Sequence, residues 1–382
     1  MNALAFPKPL STERTEELRL EVRNFLAEAL ASRTPLQRSY SWSGVDLEFS
    51  RALGARGWLG MTWPKKYGGH ERPEIERYVV VEEVLAAGAP VSSHWIADRQ
   101  TGPLILKFGT EAQKQSILPR IARGECYACI GMSEPNAGSD LASVRTRAVR
   151  VDGGYRVSGT KVWTTNAHLA HYMVLFCRTS GTIEDRHKGT SQLLIDLSTP
   201  GIEIRPILDM AGEHHFNEVV FNEVFIPEDA LLGTEGEGWS QVTSELTFER
   251  SGPERFLSSF TLIVELARAL GPAPDRHAAV ALGRLLTHLT VLRRMSRSVT
   301  SLLQQGQDPL LSASIVKDLG ALVEQEVPEI ARQLVEAAPG DPDTRNFYLV
   351  LKHTMLDAPL FSLRGGTREI LRGIIARGLG VR

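Results

Sequence analysis

The sequence predicts an α+β protein that is mostly helical, with an N-terminal helical domain, a middle antiparallel β-barrel domain and a C-terminal four-helix bundle. Three observations predict it. Apolar residues recur at helical spacing before Cys126, the period changes to two beyond it, and helical spacing returns in long stretches from Trp239. A chain of 382 residues also exceeds what one core usually organises, and the expected divisions fall at 1–125, 126–235 and 236–382. There is no internal repeat, and no strand leads into a G-x-G-x-x-G turn, so a Rossmann nucleotide domain is not supported. Gly233, Gly236 and Gly238 stand in the wrong order for that motif and read as a connection.

Each element has a local cause. Thr12 can cap a helix whose apolar positions are Leu18, Val22, Phe25, Leu26 and Leu30, with Glu13, Glu16 and Glu17 at the positive end of its dipole and Pro35 marking its end. Further helices are expected over Pro73 to Ala87, Ala97 to Phe108 and Glu111 to Arg123, before Gly124. Val144, Thr146 and Ala148 alternate with Arg145 and Arg147, Asp152-Gly153-Gly154 supplies a turn, and Tyr155 and Val157 resume the alternation, which describes a hairpin. Strands follow at His171 to Arg178, Ser191 to Leu197, Ile202 to Ile207 and Val219 to Ile226. The bundle helices are expected over Trp239 to Leu270, His277 to Gln305, Leu310 to Ala338, Thr344 to Phe361 and Thr367 to Ala376.

Composition narrows the function. Forty-three basic against forty-five acidic residues leave a net charge of −2, too little field to hold nucleic acid. The cysteines, Cys126, Cys129 and Cys177, are too few and odd in number for a secreted disulfide framework. No apolar run is long enough to cross a bilayer, and Met1 to Leu10 lacks the pattern of a signal peptide, so a cytoplasmic protein with no membrane partner is expected.

Two polar segments stand out, Gly131-Met132-Ser133-Glu134-Pro135-Asn136-Ala137-Gly138-Ser139-Asp140 and Gly159-Thr160-Lys161-Val162-Trp163-Thr164-Thr165-Asn166. A glycine-containing turn lets backbone N–H groups approach an anion, Ser139 can bond a phosphate, and Trp163 followed by hydroxyl residues offers a flat apolar surface with donors at its edge. That combination suits a flavin and its pyrophosphate. Composition alone favours Trp163 as a core aromatic and the glycine loop as a tight turn, because aromatics at strand spacing are usually core.

These segments, with Gly109 to Lys114 before them and Val219 to Gly233 after them, resemble the acyl-CoA dehydrogenase family across nearly the whole chain, and the loop from Gly131 to Ser143 fits that family's first signature. The resemblance implies FAD and α,β-desaturation of an acyl-CoA thioester: a carboxylate removes the α proton, the flavin accepts a hydride from the β carbon, and an electron-transfer flavoprotein takes the electrons. It further implies that Met132 and Ser133 bond the flavin edge, Trp163 covers a ring face, Thr165 reaches the N5 region, and Ser139 contacts pyrophosphate or substrate. Gly138, Thr367 and Glu369 fall on cofactor positions, and Arg250 on a substrate position.

The usual C-terminal carboxylate of the family is missing, because the matching run Leu363-Arg364-Gly365-Gly366-Thr367-Arg368-Glu369 has Gly365 in its place. Part of the family, similar to isovaleryl-CoA dehydrogenase, carries the base in a Leu-x-x-Glu-Arg pattern on the first bundle helix. Leu246-Thr247-Phe248-Glu249-Arg250 fits it, so Glu249 is the expected base; a carboxylate shut away from water there would have its pKa raised. Glu254 follows Pro253, which should disturb the helix. The backbone N–H of Gly365 would still serve the thioester oxygen.

The family's Arg-x-x-Phe-Gly and Gln-x-x-Gly-Gly-x-Gly patterns, which reach a neighbouring subunit's FAD, are not recognisable here; Arg268 to Gly271 and Leu356 to Pro359 stand near their places. A second acyl-CoA-dehydrogenase-like subunit is therefore expected to supply the contacts in an α2β2 assembly, with a homo-oligomer as the alternative. The run from Arg364 to Gly378 looks like subunits acting on steroid side chains and alicyclic acids. Two other readings stay open: a non-catalytic subunit that completes its partner's flavin site, and a flavin monooxygenase of the same fold. No metal is expected, since Cys126-x-x-Cys129 has no second pair and His214-His215 no further close ligands. The Arg145, Arg147 and Arg150 row reads as a solvated strand face.

Overall fold

Thr12 opens the first helix, α1 (Glu13–Ala29), by a reciprocal capping box with Thr15. The computed structural model describes residues 4–335 and 344–381, and only the backbone of 245–249. The elements that follow are α2 (Pro35–Ser39), α3 (Leu47–Ala55), α4 (Glu74–Ala86), α5 (Ser92–Ile96), α6 (Gly102–Phe108) and α7 (Glu111–Ala122). The strands are β1 (Ala128–Gly131), β2 (Arg147–Val151), β3 (Gly154–Thr165), β4 (Tyr172–Arg178), β5 (Thr190–Asp196), β6 (Ile202–Ile207), β7 (Phe216–Pro227) and β8 (Leu231–Leu232). Helices return with α8 (Gly238–Glu249), α9 (Phe260–Leu270), α10 (Arg276–Gln304), α11 (Leu310–Leu334), α12 (Arg345–Phe361) and α13 (Arg368–Gly378).

The chain divides into two units, one of residues 1–44, 72–91 and 247–382, the other of 45–71 and 92–246. The first is helical. A buried ion network ties α1, α4 and α10 together: Arg19 binds Glu82 at 2.8 Å and also Glu83, while Arg293 reaches Glu82 at 2.7 Å. Pro35 does not end a helix; it opens α2 behind the Thr34 cap, because a proline's missing N–H costs nothing at a first turn. The single helix expected over Trp239 to Leu270 is interrupted, with α8 ending at Glu249, a short turn over Pro253–Arg255, and α9 beginning at Phe260. Pro253 cannot donate to the preceding turn, so the break falls there. The end of the helix expected over Leu310 to Ala338 lies outside the described residues, α11 being described to Leu334.

The second unit is built on the sheet. The hairpin of β2 and β3 forms as expected, turning at Gly153 with φ +74°. The sheet runs β6-β7-β3-β2-β4-β5-β8, with β1 also paired to β4. The expectation of a closed antiparallel barrel is corrected: the sheet is open, and β1 and β2 both run parallel to β4. Its end strands, β6 and the two-residue β8, pair with β7 and β5 and not with each other, so no closing ladder forms among the described residues. β5 takes one side of β4 along its whole length, and on the other side β1 occupies Tyr172 to Leu175, leaving β2 a single pair, Arg147 with Arg178. One core lies among Cys129, Tyr155, Val157, Met173, Val219 and Phe221, and another joins the helices to the sheet through Trp63, Leu104, Ile117 and Leu118.

Candidate functional site

The two segments singled out by sequence are joined by a buried ion pair. Lys161, a fully buried residue of β3, donates to Glu134 Oε1 at 2.8 Å and to the Met132 carbonyl at 3.0 Å. Glu134 accepts two further bonds, from the Arg145 N–H at 2.8 Å and the Thr146 N–H at 2.9 Å, and the Val162 N–H donates to the Ser133 carbonyl at 2.9 Å. Burial pushes the Glu134 carboxyl up, but the Lys161 charge and these bonds outweigh it, holding the group below its ordinary range. Burial pulls the Lys161 ammonium down, against the opposing pull of Glu134.

Immediately beyond this anchor, the pairing of β3 with β7 shifts register between Lys161 and Thr164, a bulge that gives Trp163 a φ of +57°. The indole is therefore turned outward, 60% exposed, with Phe216 edge-on at 5.9 Å. The core-aromatic reading of Trp163 does not hold, since core tryptophans in this chain, such as Trp63, are almost wholly buried. Met132 packs half-buried beside Val144, Phe176 and Val242, while Ser133 and Thr165 are half-buried. Gly138 and Ser139 are exposed, and a Cβ at Gly138 would meet nothing within 4 Å. Asp140 and Ser143 hold Arg186, whose guanidinium reaches Asp140 at 2.6 Å and Ser143 at 2.9 Å. The Arg186 bonds bring the Asp140 carboxyl down to about 2. An outward indole beside an open, glycine-containing loop fits the face and edge of a flavin.

In the helical unit, Gly365 has φ +70°, and a Cβ there would stand 3.0 Å from Arg255 Nη2 and 3.2 Å from Cζ. A glutamate at this place would need both a strained backbone and a displaced guanidinium, so the chain cannot simply take the family's usual side chain. A Cβ on the next residue, Gly366, would lie 3.8 Å from Arg250 Nη2. The turn is held by Arg364, which donates to the Glu254 carbonyl at 2.8 Å and to Glu324 at 3.0 Å, with its guanidinium over Trp42 at 4.5 Å. Thr367 precedes α13 in extended conformation, and Glu369 in its first turn is held below the ordinary range by its own backbone N–H and the Thr367 hydroxyl. Arg250 is buried, following α8; the side chain of Glu249 lies outside the described residues.

Several residues of this arrangement escape sequence reasoning. Lys161 and Glu134 sit inside the quoted segments without an assigned role, though a lysine at an inward strand position is itself a signal of a buried partner. Arg178, fully buried, donates to the carbonyls of Ala142, Arg186 and Lys188 at 3.1, 3.0 and 2.8 Å, gathering the loops around Asp140. Asn217, the second residue of β7, is fully buried in a strand where its type is disfavoured. The cysteines are buried; burial raises Cys126 to about 11 and Cys177 to about 12 and pushes Cys129 higher still, which makes them inert thiols. No cluster of metal-ligating side chains occurs among the described residues, and Arg145, Arg147 and Arg150 are exposed.

Comparison with known proteins agrees along the chain. Residues 12–125, 129–224 and 236–380 match the family descriptions "Acyl-CoA dehydrogenase, N-terminal domain", "middle domain" and "C-terminal domain". The chain is 32% identical over 378 residues to acyl-CoA dehydrogenase FadE29 of Mycobacterium tuberculosis, covering 96% of both chains. Among solved structures it is similar to the Tcur3481-Tcur3483 steroid ACAD, with TM-score 0.85, 28% identity and coverage of 97% and 98%. It is likewise similar to the ChsE4-ChsE5 complex from Mycobacterium tuberculosis, with TM-score 0.83, 28% identity and 98% of each chain covered. With three consecutive family matches spanning nearly its whole length, the chain belongs to the acyl-CoA dehydrogenase family of oxidoreductases.

Proposed function

We propose that the protein catalyses FAD-dependent α,β-desaturation of an acyl-CoA thioester whose acyl part is branched or ring-bearing, and passes the electrons to an electron-transfer flavoprotein. The observation that carries this reading is the indole of Trp163, thrown outward by the β3 bulge next to Val162, whose N–H donates to the Ser133 carbonyl of the glycine-containing segment. Trp163 would lie against the ring face, Met132, Ser133 and Thr165 along its edge, and Gly138 and Ser139 toward the pyrophosphate, with Thr367 and Glu369 as further cofactor contacts. FAD, when bound, supplies the hydride acceptor. Glu249 removes the proton α to the thioester carbonyl, Arg250 helps hold the substrate, and the Gly365 N–H donates to the carbonyl oxygen as negative charge develops there. The ring-bearing substrate class draws support from the solved relative named a steroid ACAD.

A companion chain of the same family belongs to this proposal, because the motifs that reach a neighbouring subunit's FAD are absent and the ChsE4-ChsE5 relative is a complex. Expressed alone, the protein is expected to retain FAD weakly; co-expression with its companion should restore a full flavin spectrum and acyl-CoA dehydrogenation. A fully flavinated, active homotetramer would refute the heteromeric part. Gly365 favours a second reading, a subunit that completes its partner's flavin site without a base of its own. Full activity of the complex after Glu249→Gln would select it.

A further inference from the structure

The segment carrying Trp163 is tied to a pair of histidines through one buried amide. Asn217 is fully buried; its Nδ2 donates to the Thr164 carbonyl at 3.0 Å. Its Oδ1 receives His214 Nε2 at 2.8 Å and His168 Nδ1 at 3.2 Å. Since an amide oxygen only accepts, both rings must carry their proton on the nitrogen facing it. The two imidazoles stack at 3.9 Å with 18° between their planes. Around them, the Asn166 N–H donates to the His215 carbonyl at 2.8 Å and Asn166 Nδ2 to Ser92 Oγ at 2.7 Å.

This arrangement sets the direction of the backbone where it matters. A peptide group is planar and trans, so a Thr164 carbonyl held toward Asn217 sends the Thr165 N–H the opposite way. The same hold fixes the residue that follows the strained Trp163. We propose that Asn217 is a positioning residue for Trp163 to Thr165 and that charging both histidines of the His168–His214 stack releases it, so that the platform loosens in acid. Its consequence for the cofactor rests on the flavin reading given above.

The electrostatics favour such a latch. Partial burial, then the facing His214, hold His168 below its ordinary range; the bond to Asn217 pulls the other way, and His215 acts with the first two. On the loop, Asp209 faces His215 at 3.7 Å and accepts from the Glu213 N–H at 3.0 Å. A single proton leaves the Asn217 bonds possible, since an imidazolium still donates. A second places two like charges face to face, which opposes stacking. Because the folded value of His168 is depressed, the contribution of its neutral form is fully present above the ordinary histidine range and is lost as pH falls through that folded value.

The test is the pH dependence of the Trp163 emission, taken as the difference between the full-length protein and its Trp163→Phe variant, without FAD. The expected result is an acid transition with a midpoint below about 6.5. His168→Gln/His214→Gln keeps amide donors but cannot titrate and should abolish the transition. Asn217→Asp, which puts a carboxylate between the rings, should raise the midpoint by about one unit or more. Far-UV circular dichroism shows that each variant is folded, and either variant suffices. Absence of the transition in the wild type, or its persistence unchanged in the variants, overturns the proposal. FAD added at about pH 7.5 should quench the Trp163 signal. Failure of that quenching, with the transition intact, sinks the flavin reading and leaves the latch standing.

Discussion

Lys161→Met is expected to destabilise the sheet unit by about 3–5 kcal/mol, the cost of leaving a buried charge without its partner. The methionine keeps most of the stem's volume, so the loss falls on the charge. Glu134 would retain the Arg145 and Thr146 N–H bonds but lose the ammonium at 2.8 Å that holds it ionised. Its carboxyl would then rise, because burial would act with less to oppose it. The charge-neutral pair Lys161→Met/Glu134→Gln should recover only part of the stability, since it removes the lone buried carboxylate but leaves one oxygen where two had accepted, Oε2 from the Arg145 N–H and Oε1 from the Thr146 N–H. Denaturant unfolding measures both. A loss under about 1 kcal/mol for the single variant would place the pair among ordinary surface bridges and contradict the burial argument. The sign of the pH effect follows from the depressed carboxyl: the wild-type contribution is present above the ordinary glutamate range and is lost as pH falls through the lower, folded value.

Glu249→Gln is expected to leave FAD bound and to lower turnover by at least about 10²-fold, the smaller end of what a positioned general base contributes. The glutamine keeps shape and hydrogen bonding while removing the lone pair that accepts the α proton. Rapid-mixing measurements of flavin reduction by acyl-CoA separate this chemical step from product release. Near-normal reduction would remove Glu249 from the mechanism. Gly365 gives the prediction its force: with Arg255 against its open face and a φ of +70°, that position cannot lend a replacement carboxylate.

Much of the helical architecture is legible in the chain because its signals are local. Thr12, Asp152-Gly153-Gly154 and the switch of period near Cys126 each act through their immediate neighbours, and the helices and strands form close to where they indicate. What escapes is set by how distant pieces meet. The open sheet is an example: whether β6 meets β8, and that β1 and β2 both lie parallel to β4, depend on strands far apart in the chain, and no short-range pattern reports those pairings. The long helix expected after Trp239 shows a different failure, since helical spacing outweighed Pro253, which the backbone obeys. At the candidate site, the exposed loop and indole were legible as residue types. Lys161, Glu134 and Asn217, which aim them, were not, because their partners lie 27 and 53 residues away along the chain.

The central claim is that a flavin ring lies on the indole of Trp163. It is tested most directly by FAD affinity and visible spectrum of the Trp163→Ala variant, in the assembly purified with its companion chain. The account predicts an affinity loss of about tenfold or more, about 1.4 kcal/mol, within the contribution of a stacked aromatic pair and its buried area, together with a changed flavin absorption envelope. Unaltered affinity and an unaltered spectrum would contradict it.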